Sequence, residues 1–169
     1  MSNLNIHIDV DFDGLDEIIK VADKIANQEI DRTLDYFGNV LVIEGRDRPQ
    51  VESWFDRTGN LRSSIGYKRT GTEPETDGGF MQMLRTATEG AMKGKEYADD
   101  CLTDMNQPHK LVVVAGMEYA SEVEAMKNKV VLASAETLAE EMAPRLEEKT
   151  ADRIAKLVQD YIDTLDNED

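Results

Sequence analysis

The chain has little cysteine, histidine and proline, and few cations for its acids. Its 169 residues include one cysteine, Cys101, so an internal disulfide and a thiolate metal cluster are both excluded. Two histidines, His7 and His109, leave few bases for nucleophilic catalysis, and neither has a serine or cysteine partner close in sequence. Four prolines and eleven glycines are too few for a disordered chain. No stretch approaches the roughly 18 apolar residues of a membrane span. The opening "MSNLNIHIDV" lacks the basic flank and apolar run of a signal peptide, which points to a protein made in a cytoplasm and kept soluble. Nineteen Lys and Arg face thirty-five Asp and Glu, a net charge of -16. That balance argues against sequence-specific nucleic-acid partners, whose phosphates are bound by cations, and against anionic membrane surfaces.

What is present suits one folded α+β domain over residues 1–169. Apolar residues make up 40 % of the chain, enough for a core. Leu4, Ile6, Ile8 and Val10 alternate with polar residues and predict a half-buried strand, with His7 on its polar face. From Gly14 the period becomes helical: Leu15, Ile18, Ile19, Ala22, Ile25, Ala26, Leu34 and Phe37 predict a helix over 14–37. Gly38 ends or bends it, or Val40 to Ile43 continue it. Residues 45–60 read as loop, 65–70 as a strand and 71–79 as an acidic Pro/Gly loop. A helical pattern covers 80–104, and "LVVVAG" at 111–116 predicts a buried strand. "VVLAS" at 130–134 predicts a further short strand. Ser134 is placed as the cap of a helix, with a break or kink near Pro144 and a last helix over about 145–165. The expected architecture is a small, mostly antiparallel sheet packed on a long N-terminal helix and C-terminal helices, with a helical excursion at about 71–109 between two strands.

Chemistry-bearing patterns are few. "DVDFDG" at 9–14 imitates the start of a calcium loop, but Lys20 stands where a bidentate Glu is required. Cys101 has Asp99, Asp100 and Asp104 as neighbours, which oppose a thiolate, so it reads as a small apolar residue. The paired acids at 140–141 and 147–148 suit a solvated helix face. No Walker loop and no dinucleotide fingerprint is present. Neither a cofactor nor a metal is expected, and no enzymatic activity.

Charge placement stands out. Residues 1–40 carry net -6 and residues 134–169 net -7, whereas residues 44–69 carry net +2. A basic centre between acidic ends suits head-to-tail association of copies, or pairing within one chain. Inside it, Thr58 can cap a short helix entered through Gly59 and Asn60. Leu61 and Ile65, four apart, face inward together. Arg62 then points outward, toward an acid on a neighbouring subunit.

Thr58-Gly59-Asn60-Leu61-Arg62-Ser63-Ser64-Ile65 resembles the signature of the tail-completion and head–tail joining (neck) proteins of tailed bacteriophages. A second element, Tyr119-Ala120-Ser121-Glu122-Val123-Glu124 after "LVVVAGME", is similar to the family's Tyr-Ala-x-x-Val-Glu, in the right order. The chain departs from the family's pattern at Trp54 to Arg57, where a small residue and proline usually stand, and at Ala125-Met126. The resemblance covers most of the chain. It implies a virion structural protein joining head to tail within an oligomeric ring, with the portal or connector and tail proteins as partners and the virion as its location. A tail-terminator or minor capsid role stays open, as does a cytoplasmic binding module or small enzyme. Arg57, Arg62, Tyr119, Ala120, Val123 and Glu124 are the candidate interface residues it implies. Phe80, Met81, Met83 and Leu84 form an apolar face on the excursion that favours subunit contact.

Overall fold

A computed structural model of the chain describes residues 13–48, 54, 56–126 and 129–165. The predicted strand over 4–10, with His7 and most of the calcium-like stretch, lies outside them.

Helix α1, Asp13–Arg46, runs 34 residues without a break, about 51 Å at 1.5 Å per residue. Gly38 does not end it. The residue is buried, and a Cβ there would lie 2.5 Å from the Tyr67 ring. The glycine therefore admits the ring against the helix instead of terminating it. Gly45, two turns on, similarly leaves room for Leu132 and the Val131 carbonyl.

The sheet has three strands: β1 Ile65–Thr70, β2 Thr76–Gly78 and β3 Lys110–Ala115, in the order β2-β1-β3. Both pairings are antiparallel, with Tyr67 opposite Gly78 on one side and Val113 on the other. β1 sits where the sequence predicts it. β2 corrects the reading of 71–79 as loop, because its last residues pair with the central strand. Period two along β1 sends Ile65, Tyr67 and Arg69 toward α1. The other face carries Lys68, which pairs with Asp99 of α3, Gly90–Thr103.

α3 begins ten residues later than the predicted helix over 80–104. Gly79 takes φ 86°, and Phe80 lies against Gly66 and Gly94, between β1 and α3. Packing consumes the apolar residues that gave 80–89 its helical period. The Asn60 side chain accepts from the amides of Glu89 and Gly90 and so marks the helix start.

Two short helices, α2 Asn60–Ser63 and α4 Ala120–Ala125, flank the core. The last element, α5 Ala133–Leu165, is one helix of 33 residues with Pro144 inside it. The predicted strand at 130–134 is corrected, and of the break or kink expected near Pro144 the break is absent. Pro144 is exposed, as is Glu140, whose carbonyl loses its helical donor, so the missing bond falls on the outer side of the helix. The opposite face, with Leu138, Ala139, Met142 and Leu146, rests half-buried along α1. The core lies where α1, the sheet and the short helices meet. It contains Val42, Trp54, Leu61, Ile65, Tyr67, Met117 and Val131. None of the described helices is long and apolar enough to cross a membrane.

Candidate functional site

The two segments that carry the resemblance fold against each other. Asp56 organises the first. Its carboxylate accepts from the Gly59 amide at 2.9 Å and the Arg62 amide at 3.0 Å, closing the turn onto α2. Thr58 Oγ1 accepts from the Asn60 amide at 3.2 Å, but the capping residue is Gly59, at φ 78°, where only glycine is unstrained. Leu61 and Ile65 are buried together as predicted, at 1 % and 0 % exposure. Ser63 Oγ accepts from the Met83 amide, and Ser64 Oγ donates to the Leu61 carbonyl.

Arg62 does not point outward. Its Nη1 donates to the carbonyls of Arg46, and of Arg48 at 3.2 Å, and its guanidinium lies over the Trp54 ring, 4.9 Å from the centroid. A cation at the C-terminal end of α1 satisfies carbonyls that lack helical donors and opposes the negative end of the helix dipole. These partners lie within the subunit, and they draw the side chain in from the outward direction expected of it.

In the second segment Glu124 is the capping group of α5. Its two oxygens accept from the amides of Val131, Leu132 and Ala133 at 2.8, 2.8 and 3.1 Å. These amides are therefore unavailable to a strand ladder, which is why 130–132 is not a strand. Ser134, the predicted cap, sits inside the helix with its Oγ unpartnered. Glu124→Ala is expected to destabilise the fold by about 1–2 kcal/mol, read as a lower urea midpoint at unchanged slope. Ala120 and Val123 pack on the core beside Leu61 and Ile65. The Tyr119 phenol is pushed up by burial, its largest influence.

Of the six cations in residues 44–69, five are engaged within the chain. Arg46 holds Asp47, Arg48 holds Glu44, Arg62 holds the Arg46 and Arg48 carbonyls, Lys68 holds Asp99 and Glu75, and Arg69 holds Asp31 and Asp35. Pairing within one chain accounts for most of the basic centre. Arg57 is exposed. Beside it Leu84 covers Gly59, and Met81, Met83 and Leu84 are 53, 39 and 49 % exposed. Phe80, expected on that same face, is turned inward.

A second constellation escaped the sequence reading. Asp31 of α1 is 1 % exposed. Its Oδ1 faces His109 Nδ1 at 2.8 Å and Arg69 Nη1 at 3.3 Å, and its Oδ2 accepts from Thr72 Oγ1 and from the Glu73 amide at 2.8 Å. A carboxylate only accepts, so His109 Nδ1 carries the proton. Nε2 lies 2.9 Å from Asn27 Oδ1. Arg69, itself 3 % exposed, also reaches Asp35 at 3.0 Å, the Pro74 carbonyl and Thr76 Oγ1. An open cleft of about 340 Å³ lies over Asp31, Asp35 and Arg69. Burial pushes the Asp31 carboxyl up, but the Glu73 amide, His109 and Arg69 together hold it below the usual value. A depressed carboxylate stabilises the fold above its unfolded pKa near 3.8, and that contribution is lost as pH falls through the folded value. Below about pH 4 the melting temperature is therefore expected to fall more steeply in the native chain than in Asp31→Asn, measured by calorimetry across pH 2–6.

No family model matches the chain, and no curated protein or solved structure matches it either.

Proposed function

We propose that this chain is a bacteriophage virion protein of the neck or tail, joining head to tail as one subunit of an oligomeric ring. The observation that carries the reading is the contact between the two segments that resemble the neck family. The turn at 58–65 and the element at 119–124 pack on one core. Together they hold a rigid joint. Arg57 with Met81, Met83 and Leu84 stands exposed beside it, an apolar patch with a cation at its rim, the composition of an interface. In this reading the interfaces do the work and no covalent step occurs. The acidic surplus then suits a channel wall that repels DNA, and a neutral or basic lumen in an assembled ring would remove that part.

Light scattering behind size exclusion, with negative-stain images, tests the reading. The expected result is a closed ring of about six to twelve copies, alone or on a purified portal or tail. Leu84→Asp and Met83→Asp are expected to prevent it while leaving the subunit folded. A chain that stays monomeric and binds neither portal nor tail overturns the proposal.

A binding module or small enzyme is the second reading, favoured by the cleft over Asp31, Asp35 and Arg69. Its polar groups already engage one another, which suits a structural clamp better than a site awaiting a ligand. Retained assembly in a folded His109→Gln chain would support the clamp.

A further inference from the structure

The pair of long helices, α1 and α5, has two unlike flanks. Thr33 and Thr150 bond across the seam at 2.9 Å, and a cleft lies on each side of it. The two clefts share Thr33, Leu146 and Thr150, so they stand at one level of the pair. One, of about 300 Å³, holds Arg32, Lys149 and Arg153 around Glu29, with Tyr36 beside them. Glu29 is 3 % exposed and is bonded to both arginines, so its charge is engaged within the subunit. Arg145 and Lys156 lie one turn before and two turns after Lys149, on the same side of the helix. All four bases of α5 therefore belong to this flank.

The other cleft, of about 360 Å³, is apolar apart from Glu147 and the seam threonines. Ile30, Leu34, Phe37 and Ile154 stand half-buried along it. Phe37 continues it into a groove of about 430 Å³ that runs past Glu136 to β3. Glu140, one turn after Glu136, lies on the same side. Neither lining includes a cation. Little of α5 is covered: of its 33 residues only Ala135 is buried. Apolar residues left open in a row mark an interaction surface.

The two flanks complement each other. Tyr36 is 56 % exposed and has cations around it, whereas the groove is apolar and edged by acids. Opposite charges at the rim of an apolar contact select the partner and fix its register. With a net charge of -16, few surfaces of this chain attract an acidic groove, and this flank is one that does. We infer that Tyr36 of one copy, with Arg32, Lys149 and Arg153 about it, docks into the groove between α1 and α5 of a second copy, where Glu140 and Glu147 receive the cations. Because the two clefts are level, a rotation about an axis along the helix pair makes the contact without sliding. Each copy offers one flank of each kind, a heterologous contact that repeats until a ring closes. The inference rests on the ring reading above and assigns that ring a contact besides the patch at Leu84.

Charge reversal tests it. Arg145→Glu with Lys149→Glu and Lys156→Glu leaves the bonds to Glu29 in place. It is expected to abolish assembly while circular dichroism shows a folded subunit. Glu136→Lys with Glu140→Lys and Glu147→Lys is expected to do the same. A chain carrying both sets has the signs of its flanks exchanged and is expected to assemble again. Tyr36→Ala is expected to weaken association at least about tenfold. Either set assembling as well as the native chain, or a combined chain that is folded but monomeric, overturns the inference and leaves the ring reading standing. A photo-crosslinking residue at position 36 of the full chain reads the contact directly. Attachment to Phe37 or to residues 143–154 of another copy is expected, and attachment elsewhere, or none, overturns the inference. Failure of the native chain to assemble with portal or tail removes the ring reading, while the crosslink still decides the contact between two copies.

Discussion

Arg69→Met is expected to destabilise the protein by about 3–5 kcal/mol, the usual consequence of removing one partner of a buried ion pair. The guanidinium is 3 % exposed and faces Asp31, which is 2 % exposed at its side chain, and Asp35. Methionine fills much the same volume but returns none of the charge. Asp31 keeps its bonds from His109, Thr72 and the Glu73 amide, yet its negative charge loses the nearest permanent cation. Asp35 loses its partner, and the Pro74 carbonyl and Thr76 lose donors that hold the turn into β2. Chemical denaturation gives the number. A loss under about 1 kcal/mol would mean that water enters the cleft and compensates the acids. Arg153→Met is the contrast. Arg153 is 65 % exposed, and its partner Glu29 also holds Arg32, so under about 1 kcal/mol is expected.

Leu61→Ala is expected to lower stability by about 2–5 kcal/mol, through lost burial and the cavity left behind. For a chain of this size, a loss of about 3 kcal/mol lowers the melting temperature by about 6–12 °C. Leu61 is 1 % exposed and joins α2 to Trp54, Ile65, Met117 and Val131. The surroundings have little freedom to collapse. Gly116 approaches Gly94 so closely that a Cβ on it would lie 2.5 Å from the Gly94 Cα, and Gly90 sits directly against the Asn60 carbonyl. Backbones in contact cannot shift to fill a void, so the upper half of the range is expected. The same variant loosens the joint beneath Arg57 and Leu84. Assembly is therefore expected to weaken even where the subunit remains folded, which light scattering below the melting temperature would read.

Parts of the fold were legible because they rest on local pattern. β1 at 65–70 and β3 at 110–115 follow from β-branched and apolar runs between turn residues, and α1 from its 3.6-residue period. The inward pair Leu61 and Ile65 follows from helical spacing alone. Asp56 leaves a trace too, since an acid three residues before a glycine is a common turn closure. Arg69 left a trace: it shares the inward face of β1 with Ile65 and Tyr67, and a cation there requires an acid. Which acid was not legible. Asp31 and His109 are 38 and 40 residues away, and only the packing of α1 across the sheet brings them together.

Local pattern in the sequence is enough for the α+β class, the long N-terminal helix, two of the strands and the turn at 58–65, because each depends on residues within one or two turns of each other. Tertiary structure decided what the side chains do. Arg62 turns inward because the end of α1 presents carbonyls that need a donor, and Glu124 caps a helix nine residues on because the chain folds back over it. Residues 80–89 lose their helix because Phe80 is needed between β1 and α3. In each case the deciding term is burial or a hydrogen bond between groups that come together only once the fold has formed.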